Sequence, residues 1–188
     1  GMGLAYVQKP EATDKDANTI FYTNLIISCI LYVALFFGAP LIADFYDQPA
    51  LVDLTRVMGL VVVINAFSII QQAQITREVD FKRRATVIVI ATLISGSAGI
   101  TSAYLGMGVW ALVIQSMTNR SMVAIGFWLR TKWKPRLEFS TESFRELFSF
   151  GSWVLLTSVI RKIFDNIYIL AIGKFFPAAQ VGFYTKAK

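Results

Sequence analysis

The tightest constraint on this chain is a stretch that carries no charge. From Thr19 onward no Lys, Arg, Asp or Glu appears until Asp44, and a helix needs about 20 apolar residues to cross the hydrocarbon of a bilayer. Comparable apolar runs follow at about 51–70, 86–104, 109–129 and 152–172. Inside a bilayer the backbone must satisfy its own hydrogen bonds, which leaves helices and closed barrels. Runs of this length predict an all-α, polytopic transmembrane helical bundle of about five spans, the first over about 19–45.

Composition agrees. Charged residues make up 16% of the chain and hydrophobic ones 55%, against about 25% charged in ordinary globular proteins. The net charge is +6, but the cations sit in short gaps between apolar runs. That placement fits loops beside membrane spans and argues against nucleic acid as a partner. With no His and one Cys, Cys29, inside an apolar run, a disulfide framework and a zinc site are excluded. No metal and no cofactor is expected.

The gaps alternate in charge. The stretch Gln71–Ala85, QQAQITREVDFKRRA, holds Arg77, Lys82, Arg83 and Arg84; the stretch Arg130–Arg136, RTKWKPR, holds Arg130, Lys132, Lys134 and Arg136. The gaps Asp44–Pro49 and Leu105–Gly108 hold no Lys or Arg. Positive loops stay on the cytoplasmic side, so both basic knots are expected there, as topology-setting residues rather than as a substrate site.

Local signals fill in the chain. Residues 1–18 are polar and mixed in charge, which predicts a membrane-surface loop, with TDKD at Thr13–Asp16 able to cap the first span. Asn24 and Ser28 share a helix face and suit a bond between helices, or a ligand contact. Pro40 is expected to kink or end its helix. The second span should continue as a polar helix through QQAQITRE, with Arg56 snorkelling near its start. Ser95, Gly99 and Ala103 recur every four residues on the third span, a pattern that lets a second helix approach closely. Trp110 and Trp128 flank the fourth span as interfacial anchors. The segment Phe139–Phe150, FSTESFRELFSF, is amphipathic and reads as a short interfacial helix, with Ser140 and Ser143 as candidate caps.

The sequence offers no constellation for catalysis: no His base, no GxSxG, no glycine-rich phosphate loop and no paired acids within a span. The residues that are costly in a bilayer are Arg120 in the fourth span and Arg161, Lys162 and Asp165 in the fifth. Thr157, Ser158, Arg161, Lys162, Asp165, Asn166 and Tyr168 give the fifth span a polar half. Two readings stand for them. Arg161 and Asp165, at i and i+4, form a pair that orders the bundle; or Arg120, Arg161 and Lys162 line a cavity that attracts anions, with Asp165 and Asn166 balancing charge or coupling an ion. A third assignment shifts the register and moves Arg120 towards the surface.

Three segments taken together, GLAYVQKPEATDKDANTIFYTNL, QQAQITREVDFKRRA and FSTESFRELFSFGSWVL, resemble the polysaccharide-transporter branch of the multidrug/oligosaccharidyl-lipid/polysaccharide flippase superfamily. The resemblance covers essentially the whole chain. It implies a protein of two helical bundles with about 12–14 helices, of which this chain is an internal piece holding the third to seventh spans. Residues 1–130 would then be a surface loop and four spans of the first bundle. Residues 131–150 would be a cytoplasmic linker with an interfacial helix, and 151–188 the opening of the second bundle.

The activity implied is the flipping of an undecaprenyl-diphosphate-linked oligosaccharide across the bacterial inner (cytoplasmic) membrane by alternating access, for surface polysaccharide such as O-antigen, capsule or exopolysaccharide. Membrane lipids, a coupling cation and polysaccharide polymerases are the further partners it implies. No signature of that branch assigns Arg120, Arg161 or Lys162, which rest on the charge argument alone. Drug or toxin efflux on the same fold, and a non-transporting partner of polymer synthesis, are the rival readings.

Overall fold

A computed structural model describes the backbone of residues 2–175, together with their side chains except those at 150, 155, 165 and 168–175. The described residues form six helices and no strand: α1 (Met2–Gln8), α2 (Asp14–Tyr46), α3 (Leu51–Arg77), α4 (Phe81–Tyr104), α5 (Val109–Arg130) and α6 (Thr141–Phe175). Four of them are long and apolar enough to cross a membrane: α2, α3, α4 and the Thr141–Phe164 part of α6. α5, at 22 residues, has the length of a crossing at about 1.5 Å per residue. Gln115, Asn119 and Arg120 interrupt its apolar run.

The boundaries follow from local chemistry. Thr13 caps α2 with a full capping box: its hydroxyl accepts from the Asp16 N–H, and the Asp16 carboxylate accepts from the Thr13 N–H at 2.9 Å. α2 runs through Pro40 to Tyr46, so the proline does not end it. α3 carries the polar QQAQITR extension as one continuous helix. Asp80 caps α4 by accepting from the Arg83 N–H at 2.9 Å. The third span therefore starts at Phe81, ahead of the expected residue 86, and Lys82, Arg83 and Arg84 lie in its first turn. The turn between α4 and α5 reverses with Gly106 and Gly108 at φ of 77° and 55°, conformations open to glycine at little cost.

Two expectations change. The polar N-terminal stretch is not simply a loop: residues 2–8 form α1, whose Met2, Ala5 and Tyr6 are buried. Seven residues, MGLAYVQ, are too few to hold a helix on their own, and packing against α2, α3 and α6 decides their state. The amphipathic segment before the fifth span is no separate helix. It forms the first turns of α6, which continues unbroken through Gly151. Ser140 does cap it, accepting from the Ser143 N–H at 3.2 Å.

The packed core gathers at one end of the bundle. Met2, Ala5 and Tyr6 of α1 meet Ala17, Ile20 and Phe21 of α2, Ile70 and Ala73 of α3, and Leu147 of α6. A second cluster joins Ile75, Val87 and Phe127 of α3, α4 and α5. Away from this end the helices present large apolar side chains outward, among them Ile30, Phe37, Leu41, Leu93 and Leu112. Exposed apolar surface on this scale is a liability in water and the ordinary state of a helix in lipid. α4 and α5 pack closely where the small residues fall: a Cβ placed on Gly99 would lie 2.9 Å from Gln115 Cβ, and Asn119 donates to the Ser95 hydroxyl at 3.1 Å. Ser95 and Gly99 are buried, whereas Ala103 is exposed.

Candidate functional site

The two basic knots, 40 or more residues apart in sequence, converge at the well-packed end of the bundle. α3 and α5 both finish there and α2, α4 and α6 begin there, so the connections between them share one face. Arg77 ends α3, Arg83 sits in the first turn of α4, and Arg130 ends α5. The segment 131–140 then passes over this face as an extended strap before α6. Together these elements border an open cavity of about 1250 Å³. Its wall carries Arg77, Arg83, Arg130, Lys132, Lys134 and Arg136, set against the carboxylates Asp14 and Glu78, with Tyr6 and Trp133 between them. Lys82 and Arg84 lie outside the lining.

The strap is held by polar groups buried at the start of α2. Asn18 Oδ1 accepts from the Arg136 N–H at 2.9 Å, and Thr19 Oγ1 accepts from the Ser140 N–H at 3.0 Å. Both side chains are 1% exposed. Each supplies an acceptor to a strap that has no strand or helix partner of its own, as the pairing of backbone groups demands. Trp133 packs edge-on to Phe21, ring centroids 5.8 Å apart, and adds an apolar anchor.

Lys9 bridges three elements. Its Nζ lies 3.2 Å from Asp16 Oδ1 and 2.8 Å from Glu146 Oε2, tying the segment after α1 to α2 and α6. The hydrogen bond that Lys9 donates to the Glu146 carboxylate lifts Lys9 above the ordinary lysine value; burial opposes this, and Asp16 adds to the rise. Lys9 thus keeps its charge throughout the neutral range. The close approach of Gly151 to Met2, where a Cβ would sit 3.1 Å from the Met2 backbone nitrogen, brings α6 against α1 at the same end.

Within the vestibule the cations are unequally engaged. Arg83 reaches Asp80 at 3.1 Å and Glu78 at 3.4 Å. Arg77 donates to the Pro10 carbonyl and stands over the Tyr6 ring at 5.7 Å. Among the described residues, Arg130, Lys132, Lys134 and Arg136 make no ion pair. Arg77 and Arg130 stand at the C-terminal ends of α3 and α5, where the helix dipole favours a cation.

The expected in-membrane cations are not among the residues that line this vestibule. Arg120 on α5 and Arg161, Lys162 and Asn166 on α6 are all exposed, and α5 and α6 do not meet among the described residues. Arg120 is therefore not brought together with Arg161 and Lys162 here. From Ser152 on, the described side chains of α6 are exposed on both its polar and its apolar half, apart from Val154. Asn166 donates to the Lys162 carbonyl at 2.8 Å, within its own helix. The Asp165 side chain, and with it the Arg161–Asp165 pair, lies outside the described side chains, as do Tyr168 and the turn after 175.

Other polar residues near the spans serve packing. Arg56 stands over the Phe36 ring at 4.5 Å and donates to the Phe36 carbonyl. Asn24 donates to the Ile20 carbonyl at 2.8 Å and approaches Met2 Sδ at 3.8 Å, while Ser28 is buried. Trp128 donates from Nε1 to the Phe67 carbonyl at 2.7 Å and packs on Phe21, so it joins α5 to α3 and α2.

Sequence reasoning missed Asn18, Thr19, Lys9 and Glu146 as structural determinants of this site. A signal was present: Asp16, Asn18 and Thr19 are three polar residues directly ahead of an apolar span, and only distant partners give them a purpose.

A family model described as a polysaccharide biosynthesis protein matches residues 1–188. Over its whole length the chain is 26% identical to the teichuronic acid biosynthesis protein TuaB of Bacillus subtilis (strain 168). It is 22% identical to the lipopolysaccharide biosynthesis protein WzxC of Escherichia coli (strain K12), and 21% to the succinoglycan biosynthesis transport protein ExoT of Rhizobium meliloti (strain 1021). It spans 39%, 38% and 38% of those three proteins, respectively. No solved structure matches it significantly. A bundle of membrane-crossing helices, matched from its first residue to its last, makes this chain a member of the polysaccharide biosynthesis protein family.

Proposed function

We propose that the protein containing this chain is a transporter that flips a lipid-linked polysaccharide precursor, an undecaprenyl-diphosphate-linked oligosaccharide, from the cytoplasmic to the periplasmic leaflet of the bacterial inner membrane. The observation that carries this reading is similarity, along the whole of this chain, to a protein named for succinoglycan transport, in a chain with four helices long and apolar enough to cross a membrane among its described residues. The chain spans about two fifths of such relatives, so the transport path would be shared with helices beyond it. Alternating access between two bundles would move the substrate. Arg120, Arg161 and Lys162 are proposed to face that path, where a cation in low dielectric gains most from an anionic substrate. Asp165 and Asn166 are proposed to balance charge or to couple a cation.

The arrangement of charge supports the orientation: all the loop cations discussed lie at one end, the proposed cytoplasmic end. Deleting the gene tests the function. Lipid-linked sugar should accumulate in the inner leaflet while surface polymer falls. Normal surface polymer in that strain would reject transport, and a changed drug tolerance with normal polymer would favour efflux. In the protein itself, Arg120→Ala, Arg161→Ala and Lys162→Ala should each lower flipping at normal expression. Undiminished flipping would make these residues structural.

A further inference from the structure

The basic knots look like topology markers in sequence, yet they share one cavity with a wall that is pinned in place. We infer that this vestibule is a docking site for the phosphate headgroup of a membrane-anchored lipid, and that it receives the diphosphate of the lipid-linked substrate ahead of translocation. The inference rests on the transport reading above and adds a site to it.

Charge is the first support. Six cations and two carboxylates line the cavity, and four of the cations, Arg130, Lys132, Lys134 and Arg136, have no ion-pair partner among the described residues. Like charges gathered around one space repel, and an anion placed between them relieves the repulsion. Arginine forks take phosphate oxygens in pairs, and lysines add mobile point charges.

Position is the second support. The vestibule opens where α3 and α5 end and α4 begins, at the mouth of the apolar bundle. A ligand held there by its headgroup can keep a hydrocarbon tail in the bilayer, whereas a soluble anion gains nothing from the site's nearness to lipid. The volume, about 1250 Å³, exceeds what one phosphate needs and leaves room for a diphosphate with attached sugar.

Preorganisation is the third. The strap that supplies Lys132, Lys134 and Arg136 is fixed at its far end by Asn18 and Thr19. Its cations are held around the cavity before a ligand arrives, which reduces the ordering cost of binding. Asn18 and Thr19 are positioning residues in this scheme, and the cations are the binding residues.

The test uses purified protein in nanodiscs of zwitterionic lipid, titrated with undecaprenyl diphosphate, with phosphatidylglycerol and inorganic diphosphate as competitors. Binding should be saturable. Lys132→Gln with Lys134→Gln should weaken it by about ten-fold or more, as the loss of charge-assisted hydrogen bonds implies, while Lys132→Arg with Lys134→Arg should stay within about three-fold of the parent. Neither competitor at equal concentration should displace the ligand. Unchanged affinity in the glutamine variant would overturn the site, and ready displacement by phosphatidylglycerol would reduce it to a general lipid contact. Displacement by inorganic diphosphate would remove the role of the membrane anchor. If the glutamine pair fails to fold, Arg130→Gln alone carries the same comparison. Binding is measured without transport, so normal polymer in the deletion strain would reject the function and leave this result standing. Absent binding in a protein that is required for polymer export would reject the site alone.

Discussion

Asn18 divides its amide between two fates. Its Oδ1 accepts the Arg136 N–H, while its Nδ2 is buried without a partner among the described atoms. Removing an acceptor from a partly buried donor costs about 0.5–1.5 kcal/mol, so Asn18→Ala and Thr19→Val should each loosen the strap rather than unfold the bundle. Hydrogen exchange should report this as faster exchange of the Arg136 and Ser140 amides, with α4 and α5 unchanged. Gln71 presents the opposite case: it is fully buried, and neither end of its amide has a partner. Gln71→Met should raise stability by about 1–2 kcal/mol, since an unmet amide is expensive in a core. A lowered melting temperature instead would mean that a bound water or a transport role satisfies the amide. Val79, between α3 and α4, holds φ at 55°, a conformation that a β-branched residue adopts only under strain. Val79→Gly should leave stability unchanged or raise it by up to about 1 kcal/mol, read by thermal unfolding.

Helix by helix, the legible features were those written in local pattern. The apolar runs located the helices, the Thr13–Asp16 signal marked a true capping box, and the small residues of the third span marked where α5 approaches α4. The matching small residue on α5, Gly126, was not legible, because one glycine in a mixed helix has no repeat to announce it. A Cβ at Gly126 would lie 2.6 Å from Val87 Cγ1. Gly126→Ala should therefore destabilise the α4–α5 pair by about 1–3 kcal/mol through overpacking, and Val87→Ala in the same chain should recover part of the loss. Thermal unfolding of the two single variants and the double variant in detergent checks the coupling; additive losses would place the clash elsewhere. The joining of the amphipathic segment to α6 was also hidden. Glycine is a poor helix former in isolation, and only the close packing of Gly151 on Met2 gives a small residue a reason to sit inside a continuous helix.

At the scale of the whole molecule, the sequence located the charges without showing that they meet. Loop counting needs only the order of residues along the chain, whereas the vestibule depends on three connections, α1 and the start of α2 folding onto one end. The partners of Asn18 and Thr19 lie 118 and 121 residues away, beyond any periodicity. Orientation is the property on which the proposals now depend, because the vestibule can receive a cytoplasmic substrate only if the basic end faces the cytoplasm. Single cysteines test it. In a Cys29→Ala background, Gln48→Cys and Met107→Cys sit in the turns without cations, while Phe81→Cys and Leu137→Cys sit at the basic end, exposed, and leave every cation in place. A membrane-impermeant maleimide applied to intact spheroplasts should label positions 48 and 107 and spare 81 and 137 until the membrane is opened. The reverse pattern would turn the vestibule outward, where it would meet the product of flipping rather than the substrate. Labelling of all four positions from outside would mean that the loops do not alternate across the membrane, and the bundle would then have to cross fewer times than its helices allow.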